Sequence, residues 1–298
     1  MMPTPQGLGV RFSYVVAAGL LLAALAACTS DEEPQQDEKY AFGKGDQYVA
    51  LGDSYTAAPR TGPRDGRDGC QRTQNNYPHR VAEATGMVLV DNSCSGANTN
   101  SITRPQPTLV GDHPPQAEGL DERTDLVTIR LGANNYSMFG RILRCARFFG
   151  SAAKGAPCTD IDAASGPTGV DARLEDIEQD VISGLRVIQE RAPNARVLVI
   201  GYPHIIPTGT TCELLPLPEG DYEYARRIAE GFNAALAAAA DHVGVEFVDI
   251  FDATEGHDIC ADEPWIAGAE LLKDSATPWH PYPEESQAVA EEILDQLE

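Results

Sequence analysis

Cations are scarce in this sequence. It carries 22 Lys plus Arg against 45 Asp plus Glu, a formal net charge of -23 at pH 7. Nucleic-acid binding and electrostatic attachment to anionic membranes both rely on Lys/Arg contacts to phosphate, so this balance argues against each. The excess acid reads as a solvating surface that keeps the chain soluble. Metal-ligand spacing is missing as well: no Cys-x-x-Cys or His-x-x-x-His cluster occurs, which argues against a zinc site. No internal repeat or second-domain linker follows Tyr40, so a single domain is expected over residues 46–298.

A long apolar run is also lacking. Val15 to Ala27, preceded by Arg11 and free of charge, is too short for a comfortable membrane span and reads as the end of a signal peptide over residues 1–27. It closes on Leu25-Ala26-Ala27-Cys28, which resembles the bacterial lipoprotein box, where the cysteine becomes the lipidated first residue. Residues 28–45 then read as that cysteine plus a disordered tether, acidic through Asp31, Glu32, Glu33, Asp37 and Glu38. The rival reading is a secretory signal with an unmodified cysteine. Either way the chain is expected outside the cytoplasm, held to the membrane only through the lipid on Cys28, or secreted. Setting Cys28 aside leaves Cys70, Cys94, Cys145, Cys158, Cys212 and Cys260. An even number in an exported chain suggests disulfides, and six cysteines allow about 15 pairings, among which sequence alone does not choose.

From Tyr40 onward, short apolar runs alternate with longer helical ones. Strands are expected at Tyr48–Leu51, Met87–Val90, Leu126–Leu131, Val197–Ile200 and Val245–Ile250, each bounded by Gly, Asp or Asn. Helices are expected at Tyr77–Thr85, Asn135–Phe149, Asp171–Arg191, Asp221–Asp241 and Glu284–Leu297. The Asp171 segment places Leu174, Ile177, Val181, Ile182, Leu185 and Ile188 on one face and stops before Pro193. Strands of this length separated by such helices imply parallel pairing with right-handed crossovers, hence a three-layer α/β/α sandwich around a mainly parallel five-stranded sheet. Residues 59–74, 101–124, 150–170 and 201–220 are left as surface loops.

Three motifs stand at strand ends: Gly52-Asp53-Ser54, Ser93-Cys94-Ser95-Gly96-Ala97-Asn98 and Gly132-Ala133-Asn134-Asn135. A fourth, Trp279-His280-Pro281, lies near the C-terminus. In a parallel sheet the first three converge on one edge, where ligands bind. Acyl transfer needs a nucleophilic hydroxyl, a base for its proton, and donors aimed at the developing oxyanion. Serine, histidine, a glycine N–H and an asparagine amide supply those parts.

These four blocks, in this order, resemble the SGNH hydrolases, the GDSL-type esterases and lipases. The similarity runs from Tyr48 to the C-terminus. The string from Tyr48 to Tyr55, Asn76-Tyr77-Pro78-His79, Asp91-Asn92-Ser93-Cys94-Ser95-Gly96-Ala97 and His280-Pro281 together look like the secreted, three-disulfide bacterial branch. The resemblance implies that Ser54 attacks an ester carbonyl and that His280 acts as general base. The oxyanion would be held by the Ser54 and Gly96 N–H groups and the Asn134 amide. It also implies sequential disulfides: Cys70 with Cys94, Cys145 with Cys158, and Cys212 with Cys260. Neither a metal nor an organic cofactor is called for. Two positions depart from the family pattern. Asn135 replaces the aspartate that usually follows the oxyanion asparagine. Thr277 occupies the place, three before the histidine, of the usual aspartate. In this branch a main-chain carbonyl near that position takes the role, so the Thr277 carbonyl, or as second choice the Asp274 side chain, is expected to receive the His280 ring N–H.

Other residues carry plainer readings. His79, His113, His204, His242 and His257 read as surface or supporting positions. Arg130, inside an apolar strand, either reaches a substrate carboxylate or phosphate or pairs with an acid such as Asp53 or Asp125. Ile205, Ile206, Leu214, Leu215 and Leu217 either line an acyl pocket or pack. The leading function is hydrolysis of small-molecule or lipid esters by a monomer. Carbohydrate O-acetylesterase and phospholipase activities use the same four groups. A lipid-anchored binding protein with a vestigial Ser54 is the alternative of a different class.

Overall fold

The computed structural model describes residues 40–272 and 276–298. The expected signal peptide, Cys28, the tether up to residue 39, and Asp274 lie outside the described residues. The last tether residues, 40–45, rest on the domain: Tyr40 and Phe42 pack against its core, and the Ala41 N–H donates to the Leu297 carbonyl at 2.8 Å.

The described residues form strands β1 (Gln47–Gly52), β2 (Val88–Asp91), β3 (Gln106–Thr108), β4 (Gly111–His113), β5 (Thr124–Arg130), β6 (Arg196–Ile200) and β7 (Glu246–Val248). Their helices are α1 (Ser54–Ala57), α2 (Tyr77–Thr85), α3 (Met138–Phe148), α4 (Pro157–Ala163), α5 (Val170–Arg191), α6 (Tyr222–Val243), α7 (Ile250–Ala253) and α8 (Pro283–Leu297). Five strands pair in parallel in the order β2-β1-β5-β6-β7. The chain therefore builds outward from β1 to β2 on one side and from β5 to β7 on the other. The carboxyl ends of β1 and β5 flank the point where that order reverses, the place where an open α/β sheet leaves a ligand crevice.

Alternation along the strands builds the layers. Val49, Leu51, Val127 and Ile129 enter a core with α3, α5 and α6. Tyr48, Ala50 and Leu126 enter another with α2 and α8. Both faces are covered, which is why these strands read as near-continuous apolar runs. Each fully buried Leu or Ile side chain contributes roughly 1.5–3 kcal/mol. The result is an α/β/α sandwich.

Three pieces depart from the expected loops and boundaries. Residues 101–124 contain the β3–β4 antiparallel hairpin. Residues 150–170 contain α4, whose first turn is capped from a distance: the Asp221 carboxylate accepts from the Cys158 N–H at 3.0 Å, the Thr159 N–H at 2.9 Å and the Thr159 hydroxyl at 2.9 Å. Residues 201–207 and 215–218 are largely core, with Tyr202, Ile205, Ile206, Leu215 and Leu217 buried, while 208–214 stay at the surface. Packing is therefore the role of those isoleucines and leucines, while Leu214 is exposed. Disulfides join Cys70 to Cys94, Cys145 to Cys158, and Cys212 to Cys260.

Candidate active site

β1 runs into α1 through a turn that admits only glycine at its first position. A Cβ on Gly52 would lie 2.0 Å from Thr56 Oγ1. Asp53 caps α1, its Oδ1 accepting from the Tyr55 N–H at 2.9 Å. Ser54 opens the helix and is 8% exposed, reachable from outside but largely enclosed. Among the described residues neither its hydroxyl nor its N–H has a hydrogen-bond partner.

The second block is tied to the first. The Cys94 N–H donates to the Gly52 carbonyl at 2.9 Å, and the Ser95 N–H to the Cys70 carbonyl at 3.0 Å, beside the Cys70–Cys94 disulfide. Gly96 follows with φ +82, a left-handed conformation that glycine adopts without Cβ strain. Its N–H also has no acceptor among the described residues.

The third block comes from the end of β5. Asn134 Nδ2 donates to the Ala97 carbonyl at 2.9 Å and lies 3.5 Å from Asp53 Oδ2. Asp53, Ala97 and Asn134 thus form one bonded cluster. The Tyr202 hydroxyl, delivered by β6, completes it by donating to Asp53 Oδ2 at 2.7 Å. Burial dominates the Asp53 environment and raises its pKa to about 6, against the opposing pull of those hydrogen bonds. Asn135 explains its own departure from the family pattern. Its Nδ2 donates to Thr99 Oγ1 at 2.6 Å and Asp180 Oδ2 at 2.8 Å, while its Oδ1 accepts from the Thr99 N–H at 3.1 Å. An aspartate there would set a second carboxylate against Asp180.

His280 approaches from the C-terminal loop. The Tyr55 hydroxyl donates to the Trp279 carbonyl at 2.7 Å, and the Tyr55 and His280 rings lie 5.6 Å apart. The imidazole therefore sits beside the residue that follows Ser54. The expected acceptor, the Thr277 carbonyl, is taken by the His280 main-chain N–H at 3.1 Å. The ring Nδ1 lies 2.8 Å from the Pro278 carbonyl oxygen, one residue further on. The left-handed backbone of Trp279 (φ 66) makes this turn. A carbonyl only accepts, so Nδ1 carries the proton and Nε2 presents a lone pair. Burial lowers the His280 pKa, favouring the neutral ring.

Non-glycine residues with positive φ flank every block but the second: Ala58 after α1, Tyr136 and Ser137 after Asn134, and Trp279 before His280. Strain of this kind gathers at functional sites.

Arg130 pairs with an acid, one of its two expected roles, but the acid is Glu285 of α8 rather than Asp53 or Asp125. It is fully buried beneath α1, with Nη2 2.9 Å from Glu285 Oε1, Nε donating to the Gly201 carbonyl at 2.7 Å and Nη1 to the Tyr55 carbonyl at 3.2 Å. Burial pushes the Glu285 carboxyl up, and Arg130 opposes that push. No substrate group reaches the guanidinium there. Sequence reasoning missed Tyr202 and Glu285. The only signal for Tyr202 is its place just past a strand end.

The chain belongs to the GDSL-like lipase/acylhydrolase family, whose family model matches residues 50–284, and it is a carboxylic ester hydrolase. It is 35% identical to Lipase 2 of Streptomyces coelicolor, an alignment covering 99% of each chain. It is 31% identical to Lipase 1 of the same organism, over 91% of this chain and 93% of that one. Among solved structures it resembles phospholipase A1 from Streptomyces albidoflavus NA297 and the extracellular lipase from Streptomyces rimosus. Each aligns with a TM-score of 0.70 at 25% identity over 85% of this chain, covering 99% and 100% of those chains respectively.

Proposed function

We propose that this lipase or esterase works outside the cytoplasm through a Ser54–His280 dyad. The observation that carries the reading is the Asn134 amide held at 2.9 Å by the Ala97 carbonyl, beside Gly96 and within 3.5 Å of Asp53. That cluster ties an amide donor to Asp53 and Ala97, the chain neighbours of Ser54 and Gly96, whose N–H groups have no acceptor among the described residues. Ser54 Oγ attacks the ester carbonyl carbon while His280 Nε2 takes its proton. The Ser54 and Gly96 N–H groups stabilise the oxyanion, joined by the Asn134 amide N–H that leaves its 3.5 Å contact with Asp53. His280 then protonates the departing alkoxide oxygen as the C–O bond breaks, leaving an acyl-Ser54 ester. Water, deprotonated by His280, attacks that ester. The acid leaves, and Ser54 regains its proton from the imidazolium. The Pro278 carbonyl keeps the ring in the tautomer both steps need.

Three disulfides fit an oxidising compartment, as do the apolar run before Cys28 and the extracellular character of the Streptomyces rimosus lipase. Acylation of Cys28 would tether a monomeric catalytic domain, residues 46–298, to the outer face of the membrane. The substrates are carboxylic esters of lipids, as the names of the relatives suggest. Phospholipid esters enter the same reading through the phospholipase A1 neighbour. Rates on p-nitrophenyl esters from acetate to palmitate, beside phospholipids and acetylated sugars, test it. Long acyl chains preferred over acetate support a lipase, and turnover confined to acetylated sugars overturns that choice.

A further inference from the structure

The acid that dominates this chain is absent from one stretch. Residues 126–159 contain no Asp or Glu, but hold Arg130, Arg141, Arg144, Arg147 and Lys154. Arg130 is consumed by its buried pair with Glu285. Arg141, Arg144 and Arg147 lie on α3 beside exposed aromatic surface, and Lys154 follows six residues beyond it.

α3 starts at the active site and leads away from it. Phe139, in its first turn, packs edge-on against the Tyr55 ring at 5.8 Å. Met138, Phe139, Ile142, Cys145 and Ala146 face inward. Arg144, Arg147 and Phe148, spaced i, i+3 and i+4, occupy the outward face toward the far end, roughly 9 to 15 Å along the axis from the first residue. Phe148 is 72% exposed and Ile161 of α4 58%. With Tyr136 and Phe149 they border a cavity of about 400 Å³ over the Cys145–Cys158 disulfide. Asp162, the acid in that wall, is engaged by Arg141 and Arg227. Among the described residues Arg144 and Arg147 have no acidic partner.

We propose that this α3 tip is a docking surface for an anionic lipid bilayer. Two unpaired guanidinium groups beside a protruding phenylalanine match the two layers of such a surface. The arginines meet headgroup phosphates, which draw in basic residues by roughly fivefold per cation, and the ring enters the acyl boundary. The net charge of the whole chain opposes anionic membranes, and Arg144 and Arg147 set positive charge at this tip, with Asp160 and Asp180 at its margins. Docked through it, α3 leads from the lipid surface back to Tyr55 and Ser54. The surface stands on charge and exposure alone and does not depend on which residues catalyse.

The test is a local probe in the full chain. Phe148→Trp is mixed with vesicles whose acyl chains carry bromine, and the signal of the parent chain, from Trp265 and Trp279, is subtracted. The expected result is quenching at position 148 in phosphatidylglycerol vesicles, at least tenfold weaker affinity in phosphatidylcholine, and loss of quenching when Arg144→Glu and Arg147→Glu are added. Every variant and the parent carry Cys28→Ser, so that no lipid on that cysteine contributes to the affinity for either vesicle. Thermal unfolding of the triple variant establishes that it is folded. A folded protein with no quenching at 148 overturns the proposal. So does quenching that ignores lipid charge, or quenching that survives the charge reversal.

Discussion

The His280 ring donates from Nδ1 to the Pro278 carbonyl, 2.8 Å away, two residues back along the chain. Among the described residues a main-chain oxygen, and no carboxylate, orients the imidazole, and it neither titrates nor adds a buried charge. Asp274→Ala should therefore retain kcat within a few fold. A loss beyond about 100-fold in folded protein would restore Asp274 as the group that holds the ring.

The same environment predicts a pH profile. Burial lowers the His280 pKa, so the neutral, proton-accepting ring persists into more acidic solution than a free imidazole near 6.5 allows. The acidic limb of kcat/KM on a soluble ester should fall below that value. A limb well above it would mean that a negative charge stabilises the imidazolium.

Asn134→Ala should lower kcat by about 100-fold to 1,000-fold with a much smaller change in KM, because an oxyanion donor acts on the transition state. Full activity in this variant removes Asn134 from the site.

Asp53 offers a stability test with a definite sign. Its folded pKa of about 6 exceeds the ordinary 3.8, so the native state holds the proton more tightly than the unfolded chain does. Its contribution is fully present below the ordinary value and is lost as pH rises through about 6. Asn keeps the cap through its single oxygen and cannot ionise, while its NH2 takes the place of the oxygen that accepts from Tyr202, a loss that does not vary with pH. Urea unfolding of Asp53→Asn, compared with the parent, should shift in the variant's favour by roughly 2–3 kcal/mol between pH 4 and pH 7. A constant difference across that range contradicts the buried, ionising carboxyl.

Arg130 and Glu285 are both fully buried. Glu285→Ala leaves the guanidinium without its counter-charge and should cost about 3–5 kcal/mol in chemical denaturation. The double change Arg130→Met with Glu285→Leu should cost clearly less. Equal losses would show that the pair itself, not an orphaned charge, carries the stability.

What was legible in the sequence follows what is local. The strands of the five-stranded sheet announce themselves as short apolar runs because both faces of the sheet are covered, and the α5 stripe from Ile177 to Ile188 is a one-face pattern. Features fixed by distant partners were not legible. α4 depends on Asp221, more than fifty residues away, for its cap. Arg130 finds its acid in the last helix. The Asp53–Tyr202 bond joins the ends of two strands that are not sheet neighbours. The shift from Thr277 to Pro278 turns on one left-handed residue, Trp279, whose identity gives no hint of that backbone. Within the site, residue types and their order were readable, whereas the hydrogen bonds that orient them needed the fold.

The central claim is that Ser54 is the nucleophile. A fluorophosphonate probe forms a stable adduct with an activated serine and tests this directly. The folded parent chain should label once, with the added mass on the peptide containing Ser54, and Ser54→Ala should not label. Undiminished labelling of Ser54→Ala, or an unlabelled but folded parent, would contradict the account.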